Sequence, residues 1–241
     1  MENELNNDVR SLAMGNLFAL GKEFSNPAFL SFQSGSKIST SVYNRFQMSE
    51  LNSSCLRLIY PSRFLDAGIQ LNHFGFKDYY CLSVLAGLAK QINSCLSVGL
   101  KTNLSYWSSL LDSKPVTAIS ASLGVVYSIS NSLKTGFLAE NIATTLNSTN
   151  YSIHAGIDYQ CLEDLALVVE TSYNAESKFD IRLGAEYRVV ESLSFKAGVQ
   201  SNPSSPTIGF SYTFKQINIG TAFMMHQTLG NSTMIEIGYK F

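Results

Sequence analysis

Three histidines, four cysteines and a run of alternating charges are the residues of this chain whose types and spacing bear on chemistry. His154 and Asp158 stand four residues apart. In an extended segment they share a face but lie about 13 Å apart along it, too far for a direct hydrogen bond. His73 and His226 fall in other segments. A serine hydrolase needs a serine, a histidine and an acid in mutual contact, and serine is too abundant here to mark one. No catalytic residue is assigned, and the protein is expected not to be an enzyme. Cys55, Cys81, Cys95 and Cys161 contain no C-x-x-C pair, so neither a zinc site nor any other metal site is expected. If Cys81 and Cys95 lie on adjacent antiparallel strands, Cys95 sits near the turn and Cys81 far from it, beyond disulfide reach. All four read as free thiols, buried or facing lipid. No glycine-rich phosphate loop appears, and no cofactor is expected.

The charges follow a pattern. Asp180, Arg182, Glu186 and Arg188 alternate with Phe179, Ile181, Leu183, Ala185 and Tyr187. The same polar face, followed through the chain, carries Lys101, Lys134, Lys196, Lys215 and Lys240 as further bases. Its further acids are Glu140, Asp158, Glu170 and Glu236. Inside a barrel, such a set is either a selectivity filter or an internal ion-pair network that fills the lumen. The near balance of sign favours the network, with Asp180, Arg182, Glu186 and Arg188 as a local ladder.

The elements that must carry these residues are strands. Period-two alternation recurs at Tyr151–Tyr159, Leu193–Val199 and Ile208–Phe214, and a helix cannot sustain it. About fourteen strands are predicted, over 37–46, 50–60, 65–74, 79–89, 95–106, 116–127, 133–141, 150–160, 164–173, 179–188, 192–200, 207–215, 217–226 and 233–241. Pro61, Pro115, Pro203 and Pro206 fall in connections or at strand starts, where a ladder tolerates them. The connections alternate between shorter (61–64, 90–94, 128–132, 161–163, 189–191, 216) and longer (107–115, 142–149, 174–178, 201–206, 227–232). Outer-membrane barrels do this, with short periplasmic turns and an even strand number.

Composition separates a soluble sandwich from a membrane barrel. Of 241 residues only 15% are charged, 12% are aromatic and the net charge is -1. That excludes a basic nucleic-acid footprint and argues against disorder. The longest apolar stretch, Tyr79 to Ala89, is broken by Ser83 and Gly87, so no transmembrane helix is expected. The opening, MENELNNDVR, lacks the apolar region of a secretory leader. The polar face is rich in glycine and serine, as a crowded lumen is. Tyr60, Tyr80, Tyr106, Trp107, Tyr127, Tyr151, Tyr159, Tyr173 and Tyr187 lie near strand ends, where aromatic girdles form. The expected fold is all-β: an antiparallel, up-and-down transmembrane barrel over residues 37–241, in the bacterial outer membrane, with a short periplasmic plug segment over 1–36.

Several stretches resemble a known family. Arg10 to Asn16 (RSLAMGN), followed by Ser25 to Leu30 (SNPAFL), resembles the opening of the fourteen-stranded FadL-like barrels, especially the PorV/PorQ branch common in Bacteroidota. Ser122 to Ile142 and Ala67 to Tyr80 resemble further elements of that branch. The ending MIEIGYKF, with Tyr239 and the terminal Phe241, resembles the signal by which outer-membrane barrels are recognised for insertion by the barrel-assembly machinery. The segment between Met14 and Asn26 is shorter than the family's, and no long hatch is evident. The resemblance implies an accessory or structural subunit docked with other outer-membrane proteins in a secretion or assembly complex. Asn26, Pro27 and Ala28 would act as hatch residues or seat a plug in the barrel mouth. The alternatives are FadL-like passage of small hydrophobic solutes through a lateral opening, and a soluble β-protein with a binding cavity. Expected partners are lipid and proteins, not nucleic acid.

Overall fold

A computed structural model describes residues 8–110, 114–145, 151–174 and 178–241. Period-two alternation produces the strands it predicts. They are β1 (Lys37–Asn44), β2 (Asn52–Tyr60), β3 (Asp66–Phe76), β4 (Tyr79–Gln91), β5 (Leu96–Ser109), β6 (Val116–Ser128), β7 (Leu133–Thr144), β8 (Ser152–Leu162), β9 (Leu165–Asn174), β10 (Lys178–Val190), β11 (Leu193–Ser201), β12 (Ser204–Phe214), β13 (Ile217–His226) and β14 (Gly230–Lys240). Each pairs antiparallel with its neighbours in sequence. β1 also pairs with β14, Lys37 opposite Lys240 and Asn44 opposite Thr233, and this closes the barrel. Closure removes every unpaired strand edge.

The expected alternation of loop lengths holds only in part. β12 begins at Ser204 and takes in Pro206 opposite Val199, so the connection expected at 201–206 shrinks to Asn202 and Pro203. The turn between β3 and β4 is likewise only Lys77 and Asp78. Much of the two longer outer connections, 111–113 and 146–150, lies outside the described residues.

The outward faces are apolar. Ile181, Leu183 and Tyr187 of β10 are exposed while Arg182 and Gly184 are buried, the arrangement of a barrel standing in lipid. Two aromatic girdles flank this band. Tyr60, Tyr127, Tyr159, Tyr187 and Tyr239 mark the periplasmic end, where both ends of the barrel chain lie; Tyr79, Tyr106, Tyr151 and Tyr173 mark the outer end.

The hydrophobic core is inside, and the N-terminal segment makes it. Each of the four buried apolar clusters joins residues of Val9–Leu30 to the wall: Val9 and Leu12 to Met224 and Met234, Leu17 and Leu20 to Val126 and Val168, Phe24 and Leu30 to Ile59 and Leu85, and Phe18 to Leu138. Burying side chains of this size stabilises by roughly 1.5–3 kcal/mol each. The segment opens with α1 (Val9–Ala13), capped by the Asp8 carboxylate, which accepts from Arg10 N and Ser11 N at 3.0 and 3.2 Å. Gly15 and Asn16, both left-handed at φ +87° and +62°, then turn the chain out of the helix. From there it passes β11 and β10, then β8 and β7, crosses to β1–β4 at Glu23 and Phe24, and returns past β6 and β5 to β4 with Asn26–Leu30. At many of its closest approaches the wall residue is glycine. A methyl group at Gly99 would collide with the backbone of Pro27 and Ala28, and one at Gly124 with the Asn26 side chain. Glycine on the inward face is therefore a backbone seat.

Candidate functional site: the plugged lumen

Six charged or ionisable side chains form a line across the outer half of the lumen. Lys101 Nζ lies 3.3 Å from Glu140 Oε1, and Glu140 Oε2 lies 3.2 Å from His154 Nε2. His154 Nδ1 is 2.7 Å from Ser172 Oγ and 4.0 Å from Glu170 Oε1. Arg182 then bridges Glu170 and Asp180 at 3.3 and 2.9 Å. These groups bind the segment as well as one another. Glu170 accepts the backbone N–H of Phe18 at 2.8 Å and of Leu20 at 3.0 Å, and Lys101 donates to Phe24 O at 3.2 Å. Phe18 stacks on the His154 ring at 4.7 Å, with the Arg182 guanidinium 4.5 Å from the Phe18 centroid. An acid, a histidine and a serine do meet here, Glu140, His154 and Ser172, but Ser172 is only 5% exposed and Phe18 covers the ring. The group is a packed anchor. Asp158, the acid nearest His154 in sequence, pairs with Arg10 instead, at 3.7 Å.

The expected ladder along β10 is divided. Asp180 and Arg182 pair with each other and belong to the outer line. Glu186 turns to the N-terminal segment, at 2.7 Å from Arg10 Nε, and to Lys196 at 3.4 Å. Arg188 is exposed at the periplasmic rim. The divider is Gly184, against which the Met14 backbone lies. Beside β1 and β2 the segment's Glu23 is clasped by Arg57 and Lys37. Burial would raise the Glu23 carboxyl, but Arg57 and then Lys37 hold it well below the usual range, near 2.

Asn26, Pro27 and Ala28 are buried. Asn26 caps the 3-10 helix Pro27–Phe32, its Oδ1 accepting from Ala28 N at 3.1 Å, and its Nδ2 donates to Ala19 O and Phe137 O at 2.7 and 3.3 Å. Its extended backbone, φ -119°, is what the following proline favours. These three residues join two stretches of the segment to the wall. Tyr239 Oη donates to Gln216 Oε1 at 2.9 Å and its ring stacks on Phe241, which lies beyond β14 at the periplasmic rim. Lys215 and Lys240 are exposed at that rim rather than inside. All four cysteines are free thiols. Cys55 and Cys81 are buried, while Cys95 and Cys161 are half-buried near turns. His73 is exposed on the outer wall, and His226 accepts from Thr228 N and Leu229 N in the turn before β14. Among the described residues no cluster of histidine, cysteine and acids is placed to hold a metal ion.

Among the described residues, two of the recesses beside the filled lumen bear on function. One is in the wall. β7 carries an irregularity at Asn141, φ +54°, where its register against β6 jumps from Ala139 opposite Leu123 to Ala143 opposite Ala121. Its pairing with β8 ends at Glu140 opposite Ser152. Beside that point lies a recess of about 360 Å³ lined by Ala139, Asn141, Ile142, Thr144, Tyr151, Ser152 and Ile153. The other is a cavity of about 170 Å³ at the periplasmic mouth, among Arg10, Lys22, Phe29, Lys134, Arg188, Asp158, Asp164 and Glu186. Lys22 there is brought down to about 8, chiefly by the charge of Arg10 and then by its surroundings.

Sequence reasoning missed the pairing of Arg10 and Glu23 with the wall and the irregularity at Asn141. One signal was present: an inward glycine recurring strand after strand, the trace of a chain lying against the wall.

No protein-family model matches the chain, and no curated protein matches it. Solved structures do. The toluene transporter TbuX of Ralstonia pickettii aligns over 97% of this chain and 98% of its own, with a TM-score of 0.75 at 14% identity. The toluene transporter TodX of P. putida aligns over the same shares at 0.73 and 14%, and a FadL homologue of Pseudomonas aeruginosa at 0.74 and 9%. The KdgM porin aligns over 85% of this chain at 0.53 and 14%. The chain therefore has the fold of the FadL-like outer-membrane barrels, closed at fourteen strands around its own N-terminal segment.

Proposed function

We propose that the protein is a passive channel for small hydrophobic solutes in the bacterial outer membrane, reached from the lipid side between β7 and β8. The observation that carries the reading is the recess beside the irregularity at Asn141. The route along the barrel axis is occupied by Val9–Phe32, whereas the recess beside Asn141 faces the apolar belt and is lined by Ile142, Tyr151 and Ile153. A solute partitioned into the outer leaflet meets that recess without crossing a polar surface. The fold supports the same reading, since the TbuX and TodX barrels are toluene transporters. This likeness to channels favours passage over the accessory-subunit expectation, and no enzymatic step is part of the proposal.

Uptake of radiolabelled toluene by cells making the full chain tests it. Uptake should exceed that of cells lacking the protein and fall severalfold in Ile142→Trp, which fills the recess. Ile235→Trp, on the lipid face of β14, should leave it unchanged. Equal uptake with and without the protein would sink the channel reading.

A further inference from the structure

The charges at the periplasmic mouth do not cancel. On the lining of the 170 Å³ cavity four cations face three carboxylates, and Arg10 pairs with two of these, Asp158 at 3.7 Å and Glu186 at 2.7 Å. That leaves Lys22, Lys134 and Arg188 on the lining, with Asp164 the remaining carboxylate: three cations against one anion. Among the described residues none of the three cations makes a salt bridge. Lys134 lies 5.5 Å from the Phe32 ring centroid, and Arg188 is tied to its surroundings through its backbone N–H, which donates to Asp164 O at 2.8 Å. The three come from different elements, the segment, β7 and the end of β10, and border one space. Phe29 and Ala166 are the apolar residues of the lining, and Phe32 lies beside Lys134.

We propose that this mouth is a binding site for a small carboxylate with an apolar body. Lys22, Lys134 and Arg188 would hold the carboxylate, and Phe29 would lie against the body. Arginine suits the role because its planar fork matches the two oxygens of a carboxylate. The cavity is smaller than the roughly 300–1,000 Å³ of a drug-sized pocket, which limits the ligand to something the size of benzoate. Charges facing water at a mouth interact weakly, so affinity near the millimolar range is expected at low ionic strength. The site is separate from the recess beside Asn141 and does not rest on the channel reading.

Saturation-transfer NMR on the full chain in detergent micelles, with benzoate, benzyl alcohol and inorganic phosphate as probes, decides the matter. Benzoate should bind, and at least tenfold more tightly than benzyl alcohol, which lacks the charge. Its affinity should fall at least tenfold in the double variant Lys22→Gln/Arg188→Gln and stay within twofold in Ile235→Trp. Lys22→Arg, which keeps the charge, should bind as the wild type does. Heat-modifiable migration on a denaturing gel confirms that each variant is folded. Benzoate binding that is absent, or equal in the folded double variant, overturns the site. Phosphate binding more tightly than benzoate overturns the assignment to an apolar carboxylate.

Discussion

The two ends of β10 face the same lumen and carry the same kinds of residue, yet they end differently. Near the outer end Asp180 and Arg182 pair with each other, and Glu170 and His154 extend the contacts across the barrel. At the periplasmic end Glu186 is given to the N-terminal segment and Arg188 is left without an acid. Met14, seated on Gly184, stands between them. Charge pattern along a strand therefore does not say which charges are structural. What decides is whether the chain that fills the barrel covers them. Covered charges must be paired, because an unpaired charge in a dry interior is costly. Charges at the mouth keep their water and are available to a ligand.

The largest test of that distinction removes a covered charge. Glu170 is fully buried and serves Arg182, Phe18 N–H and Leu20 N–H at once. Replacing it with alanine leaves two buried backbone donors without an acceptor and Arg182 with Asp180 as its one remaining acid among the described residues. Breaking such a pair typically costs about 3–5 kcal/mol. Urea unfolding in micelles should show Glu170→Ala destabilised by that order, while Arg188→Gln at the exposed rim of the same strand stays within about 0.5 kcal/mol of wild type. Comparable losses in the two variants would erase the difference between the ends.

Much of this was legible in the sequence, for a reason that also explains what was not. Strand alternation is local. Phe179 to Arg188 shows its two faces without any knowledge of what lies opposite, so all fourteen strands and the outward apolar face follow from reading along the chain. Ion-pair partners are not local. Arg10 and Glu186 are 176 residues apart, and Phe18 and Glu170 are 152 apart. Nothing near Glu186 indicates that it will bind the segment in preference to Arg182 or Arg188. The irregularity at Asn141 was hidden for another reason. Left-handed backbone at a non-glycine residue is uncommon, and asparagine at that position reads as an ordinary strand end.

A smaller effect tests the segment itself as the divider. Farther along the same segment, Pro27 and Ala28 lie against Gly99. A side chain at Gly99 must push that backbone off the wall. Overpacking of this kind costs typically 1–3 kcal/mol. Gly99→Val should unfold at correspondingly lower urea. The displaced segment should also become a protease target at sites that are protected in wild type. Val98→Ala, at the neighbouring position on the opposite face, should do neither. Full protection in a folded Gly99→Val would mean that the wall yields instead of the segment.

The smallest effect concerns the mouth, and its sign is distinctive. Lys22 titrates near 8 in the folded chain, against 10.5 for an ordinary lysine, because Arg10 lies beside it and its surroundings disfavour charge. Glu186 and Asp8 oppose that shift, and Lys196 adds to it. Between these two values the unfolded chain holds a proton that the folded chain has released, so stability rises with pH across that window. Below 8 the charged lysine imposes its whole penalty. Lys22→Met should therefore be slightly more stable than wild type near pH 7, and the advantage should disappear as the pH climbs past 10.5. Comparing urea midpoints of the two proteins across this range cancels the contributions of the other lysines. Benzoate at neutral pH should narrow the gap, since a bound carboxylate offsets the charge that Arg10 makes costly. Parallel pH profiles would mean that water at the mouth already screens Lys22 fully, and that the excess of positive charge there exerts no pull on an anion.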